Sequence, residues 1–136
     1  MLSLRYNLLL FCLLFSLITF AQHKTDSLLQ LVSKTTNKHT LLDLYSLLAK
    51  QSGQTGDNAN FEKFTQKLMN LATELGDTEQ QHFAYYYQSK IADLHNEVQE
   101  ATDLLNKVEN YALLHNKPAL LSLVYRNKSN NRWYHW

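Results

Sequence analysis

The chain has 136 residues, enough for one domain, with 13 Lys+Arg against 12 Asp+Glu and a single cysteine. Near-neutrality argues against nucleic acid as the main partner, because that binding draws on clustered positive charge. One cysteine builds no disulfide framework, so an apolar core must stabilise the fold.

Residues 1–21 read as a secretory signal peptide. Met1 to Asn7 carries Arg5 and no acid, Leu8 to Phe20 is almost unbroken apolar sequence, and Ala21 supplies a small residue at the cleavage point. As a helix, Leu8 to Phe20 would span only about 20 Å, short of the ~30 Å bilayer core, which favours cleavage over a retained anchor. Cys12 follows bulky Phe11 and reads as an apolar member of the signal, not a lipidation site. Cleavage after Ala21 removes Arg5 and Cys12, leaving residues 22–136 with 12 basic and 12 acidic side chains. That remainder has no second apolar run of membrane-spanning length. The expected location is the periplasm or the extracellular space.

Residues 22–136 read as helix nearly throughout. The first segment, Asp26 to Thr35, puts Leu28, Leu31 and Val32 on one face; the second, Thr40 to Gln51, does the same with Leu41, Leu44, Tyr45 and Leu48. Ser52 to Asn58 contains two glycines and ends in cap residues, so it is predicted as a loop. The third segment has a clean stripe of Phe61, Phe64, Leu68, Leu71, Ala72 and Leu75, and Gly76 stops it. Asp77 or Thr78 starts a fourth helix with Phe83, Ala84, Tyr87, Ile91 and Leu94. A fifth carries Val98, Ala101, Leu105, Val108 and Ala112, and Pro118 suits the first turn of a sixth. No period-two alternation competes, so the expected class is all-α, a stack of antiparallel helical hairpins.

The segments repeat. Tyr45, Tyr85 and Tyr125 are spaced 40 residues apart, each followed four residues later by a small residue: Ala49, Ser89 and Ser129. Asn116 lies 40 residues after Gly76, and both residue types suit the left-handed turn past a helix end. A period in this range with helical patterning marks a stacked array whose units cannot bury their apolar faces alone.

Asn60-Phe61-Glu62-Lys63-Phe64 with Leu68 and Leu71, and Glu97 to Ala101 with Leu105 and Val108, resemble the second helix of a tetratricopeptide repeat. The Tyr-then-small pairs resemble its first helix. Aligned on Phe64 and Ala101, the two second-helix motifs stand 37 residues apart, which predicts a longer loop near Gly53 than near His95. Together with Asp26-Ser27-Leu28-Leu29 and Glu74-Leu75-Gly76-Asp77, the chain is similar to the exported N-terminal sensor regions of Bacteroidetes-type histidine kinases and regulators. That resemblance implies an α-solenoid, a protein or peptide partner and a signalling role. It implies no enzymatic activity in these residues, since any kinase activity would reside in a domain absent from this chain.

Chemistry is weakly signalled. The six histidines form no HExxH and have no cysteine beside them after cleavage, so no metal and no cofactor is expected. Asp93 and Glu97 could share neighbouring turns, but nothing makes them converge as an acid–base pair. Gly53 to Gly56 lacks the Lys-Ser/Thr of a phosphate loop. The run Tyr85-Tyr86-Tyr87 is more informative, because successive helix residues point about 100° apart and cannot all face a core. Tyr85 fits the repeat column and Tyr87 the apolar stripe, which leaves Tyr86 to point into a groove. The candidate partner-binding residues are therefore Tyr86, Lys90 one turn on, and Gln88 between them. The expected function is a non-catalytic binding module, the periplasmic sensory part of a two-component-type signalling protein. The alternative is a free-standing exported scaffold that self-associates through its last helix, 118–135, which ends in aromatic residues.

Overall fold

The computed structural model describes residues 25–130, and within them every regular element is a helix. The signal-peptide residues and the terminal aromatic run lie outside these residues. Helix α1, residues 25–34, belongs to a separate N-terminal unit, and Leu31 on it is exposed. The second unit begins at Asn37 and holds α2 (Lys38–Thr55), α3 (Asn58–Leu75), α4 (Thr78–Leu94), α5 (Val98–Leu114) and α6 (Pro118–Asn130). No helix among the described residues is long and apolar enough to cross a membrane.

The breaks between these helices are short and evenly set. Four residues with positive φ, Gly56 (74°), Gly76 (67°), Asn96 (62°) and Asn116 (52°), fall at 20-residue intervals. Each sits just past a helix, where glycine or asparagine tolerates the left-handed turn that bulkier residues avoid. Side-chain caps follow the same interval: Asn37, Asp57 and Asp77 accept the backbone N–H three residues on. Glu97, the next in that series, makes no such bond. Pro118 opens α6, where its missing N–H costs nothing.

Two sequence expectations are corrected here. Ser52 to Thr55 is the last turn of α2, not a loop. Gly53 sits in that turn because a Cβ there would stand 3.0 Å from the Phe61 ring, so the glycine allows close helix approach. The chain breaks only at Gly56 and Asp57, where Asp57 N donates to Ser52 O (3.0 Å). The loop near Gly53 is therefore no longer than its later counterpart. The second helices are in register at 40 residues, not 37: buried Phe61, Thr65, Leu68 and Ala72 on α3 correspond to Ala101, Leu105, Val108 and Ala112 on α5. Phe61, not Phe64, is the counterpart of Ala101.

Within the second unit packing runs between consecutive helices, and α2 also touches α4 while α4 touches α6. With such short connections, consecutive helices are antiparallel neighbours. The repeated tyrosines pack on the following helix. Lys67 lies over the Tyr45 ring (5.2 Å to its centroid) and Lys107 over Tyr85 (3.6 Å), the same contact one period apart. Tyr125, with no described helix after α6, is 50 % exposed. The small column is tight where helices flank it: Ala49 and Ser89 are fully buried.

Candidate binding groove

A groove runs along α2, α4 and α6, built from two adjoining depressions of about 270 Å³ and 520 Å³. They share Gly53, Gln54, Phe61, Tyr86, Lys90 and Arg126. The residues that line it come from one helical register. Ser46, Leu47 and Lys50 on α2 correspond at 40-residue spacing to Tyr86, Tyr87 and Lys90 on α4, and to Arg126, Asn127 and Asn130 on α6. Positions i, i+1 and i+4 form one face of a helix, so three alternate helices turn the same face to the same space.

The floor is aromatic. Phe61 and Tyr87 are buried with rings edge to face at 5.8 Å, and Tyr86 lies 5.6 Å from Tyr87. The Tyr87 hydroxyl lies near Ser46, and that of Tyr86 near Arg126 and Asn127. Burial raises both phenols, Tyr87 to about 12 with Tyr86 adding to the effect, while the Arg126 charge opposes the rise at Tyr86 and nearby Ser46 opposes it at Tyr87. Both hydroxyls therefore stay neutral, one set toward α2 and the other toward α6.

The sequence-predicted residues divide. Tyr86 does reach the groove, but as a wall rather than a projecting ring, being only 5 % exposed. Its ring is covered because α6 supplies Arg126 and Asn127 beside it. Lys90 lines the groove with Tyr86. Gln88 does not: it borders a separate depression of about 300 Å³, among Glu62, Glu97 and Glu100. The rotation of about 200° over two helix residues carries it to another side of α4. Lys50, Leu47 and Arg126 were missed by sequence reasoning. The 40-residue spacing could have found them, since it maps Lys90 to Lys50, Tyr87 to Leu47 and Tyr86 to Arg126.

The groove is basic as well as aromatic. Lys50, Lys90 and Arg126 line it, one from each helix, and among the described lining residues Asp93 at the far end is the only acid. Other titratable clusters lie elsewhere. His82 is buried, donates from Nδ1 to Thr78 O (2.7 Å) and stacks on Tyr111 at 3.7 Å. Burial is the main cause holding its pKa below the usual histidine value, and nearby Lys107 and His115 add to it. Exposed His95 pairs with Glu62 (2.9 Å), whose hydrogen bond raises its pKa. Among the described residues, no three His, Cys, Asp or Glu side chains group so as to hold a metal ion. No family model, curated protein or solved structure matches the chain.

Proposed function

We propose that the chain is a non-catalytic module that binds a peptide or protein in the groove along α2, α4 and α6. The observation that carries this is the common register. Three alternate helices present equivalent positions to one open groove, and part of that lining is apolar surface left in contact with solvent, with Leu47 49 % exposed. On the same proposal the helices form a tetratricopeptide-like α-solenoid. Its support is the pattern of neighbours, each helix on its successor and alternate helices on one another. The module is exported after cleavage near Ala21 and serves as the sensory part of a two-component-type signalling protein. This last assignment rests on the sequence resemblance alone.

Photo-crosslinking tests the binding reading. A photoreactive residue replacing Leu47 in the groove should capture a partner in the cell that makes the protein. The same residue replacing Glu100, on the other depression, should not. Equal capture at both positions, or none at Leu47, sinks the groove as the binding surface.

Exposed Tyr125 favours a second reading, self-association through α6, because its counterparts Tyr45 and Tyr85 are each covered by a lysine of the next helix. Sedimentation velocity across a concentration series decides it. A dimer abolished by Tyr125→Ser supports self-association, and a monomer at every concentration excludes it.

A further inference from the structure

The lysines of the second unit are almost all matched within the fold. Lys38, Lys117 and Lys128 pair with Glu74, Glu79 and Glu109. Lys63, Lys67 and Lys107 lie over the rings of Phe64, Tyr45 and Tyr85. Among the described residues of this unit, two lysines join neither a carboxylate nor a ring: Lys50 and Lys90. Both line the groove, at equivalent positions on α2 and α4. The third groove cation, Arg126, lies beside a neutral phenol and keeps its full charge. Among the described residues of this unit, the lysines matched by neither a carboxylate nor a ring thus lie on one face. Such a concentration of one sign inside a concave, partly apolar wall raises the local potential and draws anions.

The spacing narrows the occupant. Packed helices stand about 8–10 Å apart, so Lys50 and Lys90, at equivalent positions on α2 and α4, which touch, offer two positive points at roughly that separation. A polyproline-II segment advances about 3.1 Å per residue with three residues per turn, which returns side chains to one face every ~9 Å. Acids three residues apart on such a segment therefore meet both lysines as it crosses the helices. Leu47 and Phe83 line the same depression, each toward the N-terminal side of the lysine on its helix, a place for an apolar side chain.

We propose that the groove takes an extended acidic peptide, with Lys50 and Lys90 each meeting a carboxylate three residues apart and Leu47 with Phe83 meeting an apolar side chain beside them. This rests on the groove being the binding surface, and deepens that reading by naming the class of partner. Recognition of this kind is salt-sensitive, since surface charges are screened over about 8 Å at physiological ionic strength.

Fluorescence anisotropy of the full chain tests it, with three labelled probes: a peptide of repeated Glu-Leu-Pro, its Gln-Leu-Pro counterpart and its Lys-Leu-Pro counterpart. The Glu peptide should bind at least about tenfold more tightly than the Gln peptide, and the Lys peptide should not bind. Raising salt should erase most of the preference. The double variant Lys50→Glu/Lys90→Glu should lose the Glu peptide and gain the Lys peptide, with its circular dichroism unchanged. Lys50→Met/Lys90→Met, which keeps the stems and removes the charge, should reduce the preference if the reversal variant fails to fold. Equal binding of the Glu and Gln peptides, weakened by Leu47→Asp, would overturn the acidic partner while leaving the groove as a binding surface. Glu-peptide binding that ignores both lysine variants would overturn this inference. Oligothymidine bound as tightly as the Glu peptide would do so too, by making the face a general polyanion surface. Binding of no probe by the folded chain would overturn both the inference and the groove reading.

Discussion

The two sides of α4 differ in charge although they belong to one helix. On one side Phe83, Tyr86 and Lys90 face a groove with Lys50 and Arg126 and no acid until Asp93. On the other, Gln88 and Ile91 border a depression with Glu62, Glu97 and Glu100 and no base in its lining. The near-zero net charge expected after signal cleavage thus coexists with two depressions whose linings carry opposite signs. Bulk neutrality excludes a uniformly basic protein, and it says nothing about a local potential of several kT in a cleft. The difference also separates roles. The groove side carries open aromatic and apolar surface suited to a partner, whereas the acidic side is narrower in chemistry and mostly polar.

The largest expected effect comes from breaking the floor beneath the groove. Phe61 is buried against Tyr87 and Gly53, so Phe61→Ala should cost about 3–5 kcal/mol in urea unfolding. A cost below about 1 kcal/mol would mean that Phe61 does not hold the floor. Next is Gly53→Ala. Alanine favours a helix by about 1 kcal/mol, but its Cβ would meet the Phe61 ring at 3.0 Å, and that ring is held by Tyr87. Overpacking costs about 1–3 kcal/mol, so the variant should be less stable by about 1 kcal/mol; a gain in stability would show that the ring yields.

On the acidic side, Glu97 occupies an N-cap position without a side-chain bond, where Asp57 and Asp77 make one. Glu97→Asp keeps the charge and should raise stability by about 0.5–1 kcal/mol in the same assay, with groove binding unaltered. No change in stability would show that the shorter carboxylate does not reach the α5 N-terminus.

The smallest effects are in the pH profile, where two histidines act with opposite sign. His82 has a lowered folded pKa, so below its unfolded value of about 6.5 the unfolded state takes up the proton first. Its environment therefore costs stability as pH falls through about 6.5 toward the folded value. His95 has a raised folded pKa, so its contribution is complete below about 6.5 and fades as pH rises through that raised value. His82→Leu should flatten the acid side of the profile and His95→Gln the other side. An unchanged profile in either variant would contradict the assignment of that histidine.

Much of the helical framework was legible before the structure. Gly76 and Asn116 mark helix ends because only such residues sit readily at positive φ, and the Phe61 stripe is a 3.6-residue period that nothing else mimics. The break at Ser52 to Asn58 was misread because two glycines look alike in sequence. Gly56 is there for its φ, while Gly53 is there for the ring packed against it, and only the packed neighbour distinguishes them. The same limit applied to the groove. Periodicity told which way Tyr86 points around α4, but Gln88 was grouped with it although two helix residues carry it to another side, and nothing in the pattern said that α6 would wall in the first or that acids would surround the second. Lys50 and Arg126 became visible only once the 40-residue columns were seen to meet in space. Their spacing was present in the sequence, but a column of Ser46, Tyr86 and Arg126 shares no chemistry that would have drawn attention to it.

The most direct test of the central claim is an NMR titration of the ¹⁵N-labelled chain with the Glu-Leu-Pro peptide. The account predicts amide shifts concentrated on the lining of α2, α4 and α6, around Leu47, Lys50, Lys90 and Arg126, with Glu62, Glu97 and Glu100 unmoved. Shifts centred on the acidic depression, or spread evenly over both sides of α4, would contradict it.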